Sequence, residues 1–106
     1  MKIECVCGSL IPNMTDSLPH KAHLIPDQSW LALLEQLDHL IEHRCATPAQ
    51  RGEACMAVRI LISEASRNAW QCASCGRLHV DDQAKRLQTY VPADGETSRS
   101  VLRDRR

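Results

Sequence analysis

Two short cysteine turns, one toward each end of the chain, constrain the fold more than any other feature. Cys5-Val6-Cys7-Gly8 stands near the N-terminus, and Cys72-Ala73-Ser74-Cys75-Gly76 follows, with 64 residues between Cys7 and Cys72. A tight turn lets two thiolates reach one ion, and four such ligands complete a tetrahedron around zinc. Glycine after the second cysteine lets the backbone curl, so that amide N–H groups can point at sulfur. Cys5, Cys7, Cys72 and Cys75 therefore read as one closed four-cysteine Zn2+ site, structural rather than catalytic. The first turn has one spacer residue where the usual knuckle has two. The competing reading is a Cys72–Cys75 redox disulfide. It would need the motif to open a helix in a thioredoxin-like unit, and here the flanks read as strands.

The rest of the chain explains why such a staple would be needed. It has 106 residues, with no Phe and only Trp30, Trp70 and Tyr90 as aromatics. That is one domain's worth of sequence with a thin aliphatic core, and small cores rely on metals or disulfides. Lys plus Arg equals Asp plus Glu, 13 each. Nucleic-acid binders usually carry a basic excess, which this chain lacks except for Arg99, Arg103, Arg105 and Arg106 at its end. No signal-like apolar run opens the sequence and no stretch is long enough to cross a membrane, so the expected compartment is the cytoplasm. In that compartment paired cysteines more often mean metal than disulfide.

Between the turns the pattern is helical. Asp27 is an acceptable N-cap, and Trp30, Leu33, Leu34, Leu37, Leu40 and Ile41 recur at three- and four-residue steps. Thr47-Pro48-Ala49-Gln50 matches a capping box with proline at the first helical position. Ala54, Val58, Leu61, Ile62 and Ala65 form that helix's stripe. The few residues around Arg44 to Ala46 make the pair an antiparallel hairpin. The segment from His20 to Pro26 reads as irregular. After Asn68 the period falls to two, giving short strands at 69–72, 78–80 and 87–91, with Asp81 to Lys85 as the turn between the last two. The expected fold is α+β: a small zinc-ribbon β part closed by both chain ends, with the two-helix hairpin inserted. Residues 1–96 form a single domain, and 97–106 form a flexible Arg-rich tail.

Other reactive side chains give weaker signals. Cys45 and Cys55 read as small apolar residues of the hairpin. His20 and His23, and His39 and His43, have spacings that can bind metal, but no Glu takes the catalytic place of His-Glu-x-x-His. They support a zinc hydrolase only as a minor alternative. His79, between Leu78 and Val80, reads as a surface residue. Trp30 reads as core, and Trp70 as packing over the zinc turn. Asp81-Asp82 reads as a turn former. No nucleophile with a base and no phosphate-cradling loop appears, so no enzyme is expected.

Several of these residues recur together in a known pattern. Cys-x-Cys-Gly, Thr15-Asp16, Lys21-Ala22, Asp27 and Trp30, then Trp70-Gln71-Cys72-x-x-Cys75-Gly76-Arg77-Leu78, Asp81-Asp82 and Tyr90-Val91-Pro92, resemble a family of small, uncharacterised bacterial zinc-ribbon proteins. The resemblance spans most of residues 1–92. It implies an accessory or immunity role, because small proteins of this kind often bind a toxin or a partner enzyme. The expected function is thus a non-catalytic zinc protein acting as a protein–protein interaction module, most concretely an immunity or inhibitor protein for a cognate bacterial toxin. Exposed Glu35, Asp38, Glu42, Asp81 and Asp82 suit a basic partner. The alternative is a nucleic-acid-binding zinc ribbon that assists transcription or translation.

Overall fold

A computed structural model describes residues 2–105. In chain order the elements are β1 (Lys2–Glu4), β2 (Leu10–Pro12), β3 (Lys21–Leu24), α1 (Asp27–His43), α2 (Pro48–Ala65), β4 (Arg67–Gln71), β5 (Leu78–Asp81) and β6 (Leu87–Tyr90). The architecture is α+β, with cysteine pairs in the β regions on both sides of two inserted helices. The chain divides into two compact units. One holds the residues up to His23 and those from Arg67 onward, and the other is Leu24–Ser66.

In the β unit, β1 and β2 form an antiparallel pair with Ile3 opposite Ile11. Both strands alternate, and only their central residue is buried, as expected for a half-covered ladder. The order of the second sheet is β3-β4-β5-β6. Its register sets Trp70 beside His79 and His79 beside Thr89, all on one face. Ile3, Ile11 and Trp70 pack with Cys5 and Cys72 into one small core, and Cys75 lies against it. The sulfur ligand candidates are thus part of the core rather than an appendage. Asp82 builds the β5–β6 turn. Its carboxylate accepts from the backbone N–H groups of Arg86 and Ala84 and from Gln88 Nε2, which makes it a stronger acid than an ordinary aspartate.

The structure corrects two expectations here. The stretch before Pro26 is not irregular, because Lys21–Leu24 form β3. His79 is not a surface residue but is 2% exposed. Its cross-strand neighbour is Trp70, so the face that looks outward from the apolar pattern of β5 is the core face. Residues 98–101 make specific bonds to the second cysteine turn. Gln71, buried beside the second cysteine turn, donates through Nε2 to the carbonyls of Gly76 and Ser98 and accepts through Oε1 from the Val101 N–H. Arg99 donates to the Ser74 carbonyl.

In the helical unit, Thr47 caps α2 by accepting from the Gln50 N–H, and Gln50 Oε1 returns a bond to the Ala46 N–H. This is a capping box displaced by one residue on its return bond. Asp27 does not cap α1. Pro26 holds the N-cap position without a side-chain bond, and its extended backbone starts the helix one residue earlier, leaving Asp27 in the first turn. Its charge there still suits the helix dipole. The hairpin buries little: Leu33 and Ala54 are its fully buried residues. Trp30, expected as core, is 44% exposed. Cys55 is exposed rather than buried, and Cys45 is half-buried, donating to the Leu40 carbonyl.

Candidate metal centre

The two cysteine turns share one hydrogen-bond scheme. In the first, the Cys5 N–H donates to the Ser9 carbonyl and the Gly8 N–H to the Cys5 carbonyl. In the second, the Cys72 N–H donates to the Arg77 carbonyl and the Gly76 N–H to the Cys72 carbonyl. In both, the leading cysteine bonds to the residue just after the glycine. The missing spacer in the first turn shortens its inner bond by one residue and leaves the frame intact. Gly8 and Gly76 sit at φ values of 95° and 82°, in the left-handed region that glycine enters without steric cost.

These turns bring Cys5, Cys7, Cys72 and Cys75 together, with all four Sγ atoms within 4.8 Å of one another. Cys5 Sγ lies 3.5 Å from Cys75 Sγ, and Cys7 Sγ lies 3.6 Å from Cys72 Sγ. A zinc tetrahedron with arms of about 2.3 Å has sulfur–sulfur edges of about 3.8 Å, whereas a disulfide is about 2.05 Å. The spacing suits four ligands around a central ion and matches no disulfide among them. The donor chemistry fits as well, since four thiolates favour a soft or borderline cation. A second bond ties the turns directly, from Ser9 Oγ to Ser74 Oγ at 2.9 Å.

The surrounding groups prepare the sulfurs for a cation. The Arg77 N–H, and then its side chain, hydrogen-bond Cys75 and bring its thiol down to about 6. The Ser9 N–H and hydroxyl lower that of Cys7. Cys5 goes the other way, pushed up to about 12 by burial, although the Cys7 N–H partly counters this. Four thiolates in one small volume repel each other, and the buried member resists ionisation most. A divalent cation at their centre removes that resistance, because metal binding displaces the thiol protons. Arg77 in turn is held more strongly protonated by its hydrogen bond to Cys75. It supplies positive charge beside a site that would carry about −2 with zinc bound.

The structure brings together the four cysteines that the sequence singles out, and the residues around them carried no comparable sequence signal. Gln71, Ser9, Ser74, Arg77 and Arg99 are ordinary polar residues whose roles depend on which chain segments meet. The one local hint was a polar Gln between Trp70 and Cys72. Among the described residues, the cysteines are the group of three or more His, Cys, Asp or Glu side chains placed to share an ion. His20 instead donates from Nε2 to the Pro12 carbonyl, and the His39 and His43 rings lie 4.7 Å apart, tilted by 48°. No catalytic cluster gathers among the described residues, and no helix among them is long and apolar enough to cross a membrane.

Comparison with known proteins places the chain in one family. Residues 1–94 match the model of a domain of unknown function, DUF8617, and the chain belongs to that family. No curated protein and no solved structure matches it.

Proposed function

We propose, for this member of the DUF8617 family, a non-catalytic role as a zinc-stabilised protein-interaction module. The observation that carries the reading is the four-sulfur cluster, whose ligands come from both sides of the helical insertion. Cys5, Cys7, Cys72 and Cys75 hold one Zn2+, and residues 1–96 act as one zinc-closed domain. Four protein ligands leave no position for water, so the ion serves the fold. The free thiols suit a reducing cytoplasm.

The partner is a protein, most concretely a toxin or enzyme that this chain inhibits as an immunity protein. Between residues 27 and 43, Asp27, Glu35, Asp38 and Glu42 meet no Lys or Arg. Such an acidic helix steers association with a basic surface. Asp82 is spent on its own turn, so the recognition charge lies on α1. The nucleic-acid alternative rests on the C-terminal arginines, and Arg99 is already committed to the Ser74 carbonyl.

The test is co-expression with the products of neighbouring genes, followed by charge reversal at Glu35, Asp38 and Glu42. The reading expects a stable complex that the triple reversal weakens at least tenfold. Absence of any complex, or a complex indifferent to the reversal, contradicts it. A low-salt gel shift that disappears on removing residues 97–106 would favour the nucleic-acid alternative instead.

A further inference from the structure

On α1, Trp30, Leu34, Leu37 and Ile41 follow one another at steps of four, three and four. On α2, Arg51, Cys55, Val58 and Ile62 follow the same steps. Such spacing puts each set on one helix face. The two faces lie on the same side of the hairpin, because Ile41, Arg51, Cys55 and Val58 line a common groove of about 400 Å³. This side is open: Ile41 is 66% exposed, Trp30 44%, Ile62 39% and Leu34 37%. A hairpin with two apolar stripes and only two fully buried residues has half the helices of a four-helix bundle.

We propose that this face pairs with the same face of a second copy, forming a four-helix bundle across a two-fold axis parallel to the helices. That axis lays each α1 antiparallel on the α2 of the other copy. Charge decides in its favour. Helix α1 carries four carboxylates and no Lys or Arg, while α2 contributes two arginines to the groove, Arg51 and Arg59. Of the carboxylates, Asp27 and Asp38 stand three or four residues from Trp30, Leu34 and Ile41 and so flank the α1 stripe, and the axis sets them along the side that carries Arg51 and Arg59 of the partner subunit. The other two-fold arrangement stacks α1 on α1 and opposes like charges. One face that carries carboxylates from α1 and arginines from α2 is self-complementary, as an isologous contact requires.

The size of the face agrees with a reversible dimer. At 1.5 Å per residue the helices are about 26 Å long, and the pair is about 20 Å wide. The projected face is about 500 Å², so two copies cover about 1,000 Å², just under the usual span of specific interfaces. Association in the micromolar range follows, with dissociation at high salt. Pairing needs only the hairpin and is independent of the metal.

The experiment is sedimentation equilibrium on the full chain purified without chelator, with metal content measured on the same samples. The expected mass at about 100 μM is twice the 11.9 kDa of one chain. Ile41→Glu and Arg51→Glu each shift the midpoint at least tenfold toward monomer while leaving the helical circular dichroism unchanged. A single-chain mass throughout this range overturns the proposal, as does a dimer unaffected by Ile41→Glu. A monomer that keeps its zinc overturns the pairing alone. A dimer without metal overturns the zinc reading alone.

Discussion

The two turn glycines have the same backbone need and different neighbours, which makes them a controlled pair. Replacing Gly8 with alanine adds a Cβ in open space, so the cost is that of the left-handed backbone, about 1 kcal/mol. At Gly76 the new Cβ also lies 3.0 Å from Pro92 Cγ and 3.3 Å from Arg99 Cγ. Gly76→Ala is therefore expected to destabilise more than Gly8→Ala, by about a further 1 kcal/mol. Denaturant melts of the two variants decide this, and equal midpoints would show that the 92–99 segment does not rest on the turn. Gln71 is a companion case. Gln71→Leu strands the Ser98 and Gly76 carbonyls and the Val101 N–H, with an expected cost of about 1–3 kcal/mol. Hydrogen exchange at the Val101 amide should accelerate in that variant. His79 adds a pH term. Burial first, and then the charge of Arg77, depress its basicity. The unfolded chain thus gains a proton below pH 6.5 that the folded chain refuses, and stability falls as pH drops through that point. His79→Gln should flatten the acid side of the stability profile in the window just below 6.5, where the cysteine site contributes equally in both proteins.

Elements were legible in the sequence where a local signal sufficed. The α2 cap is such a case, since Thr47, Pro48 and Gln50 act within one turn. Thr47→Ala should lower stability by about 1 kcal/mol, read as lost ellipticity or a lower melting temperature. The cysteine turns were equally legible, because spacing and glycine specify them locally. Elements set by distant partners were not. Strand β3 alternates polar and apolar over only Lys21-Ala22-His23-Leu24, between two prolines, too short a signal to stand alone, and it exists because it joins the edge of β4. The phase of β5 was misread because Trp70, nine positions before His79, decides which side is covered. Trp30 and Cys55 follow a sound amphipathic pattern, yet their stripe faces outward in the isolated chain. A periodic pattern says that a face wants cover and does not say what covers it.

At the scale of the molecule, the β unit depends on joining segments that are far apart in sequence. Its core of Ile3, Ile11 and Trp70 is small, and two of the candidate sulfur ligands, Cys5 and Cys72, lie within it. Loss of metal should thus release both cysteine turns and that core together, since binding energy at such a site is folding energy. Cys72→Ser, at a residue 1% exposed, is expected to be more damaging than Cys7→Ser, at an exposed residue. Thermal melts with and without chelator would show whether the native protein follows the same path.

Native mass spectrometry of the protein purified without chelator, paired with alkylation of the folded chain, tests the central claim most directly. The account predicts one zinc ion per chain and, at dilutions where the chain is monomeric, Cys45 and Cys55 modified while Cys5, Cys7, Cys72 and Cys75 stay protected until chelator is added. A metal-free chain lighter by two protons, with a disulfide mapped to any of the four cysteines, would contradict it.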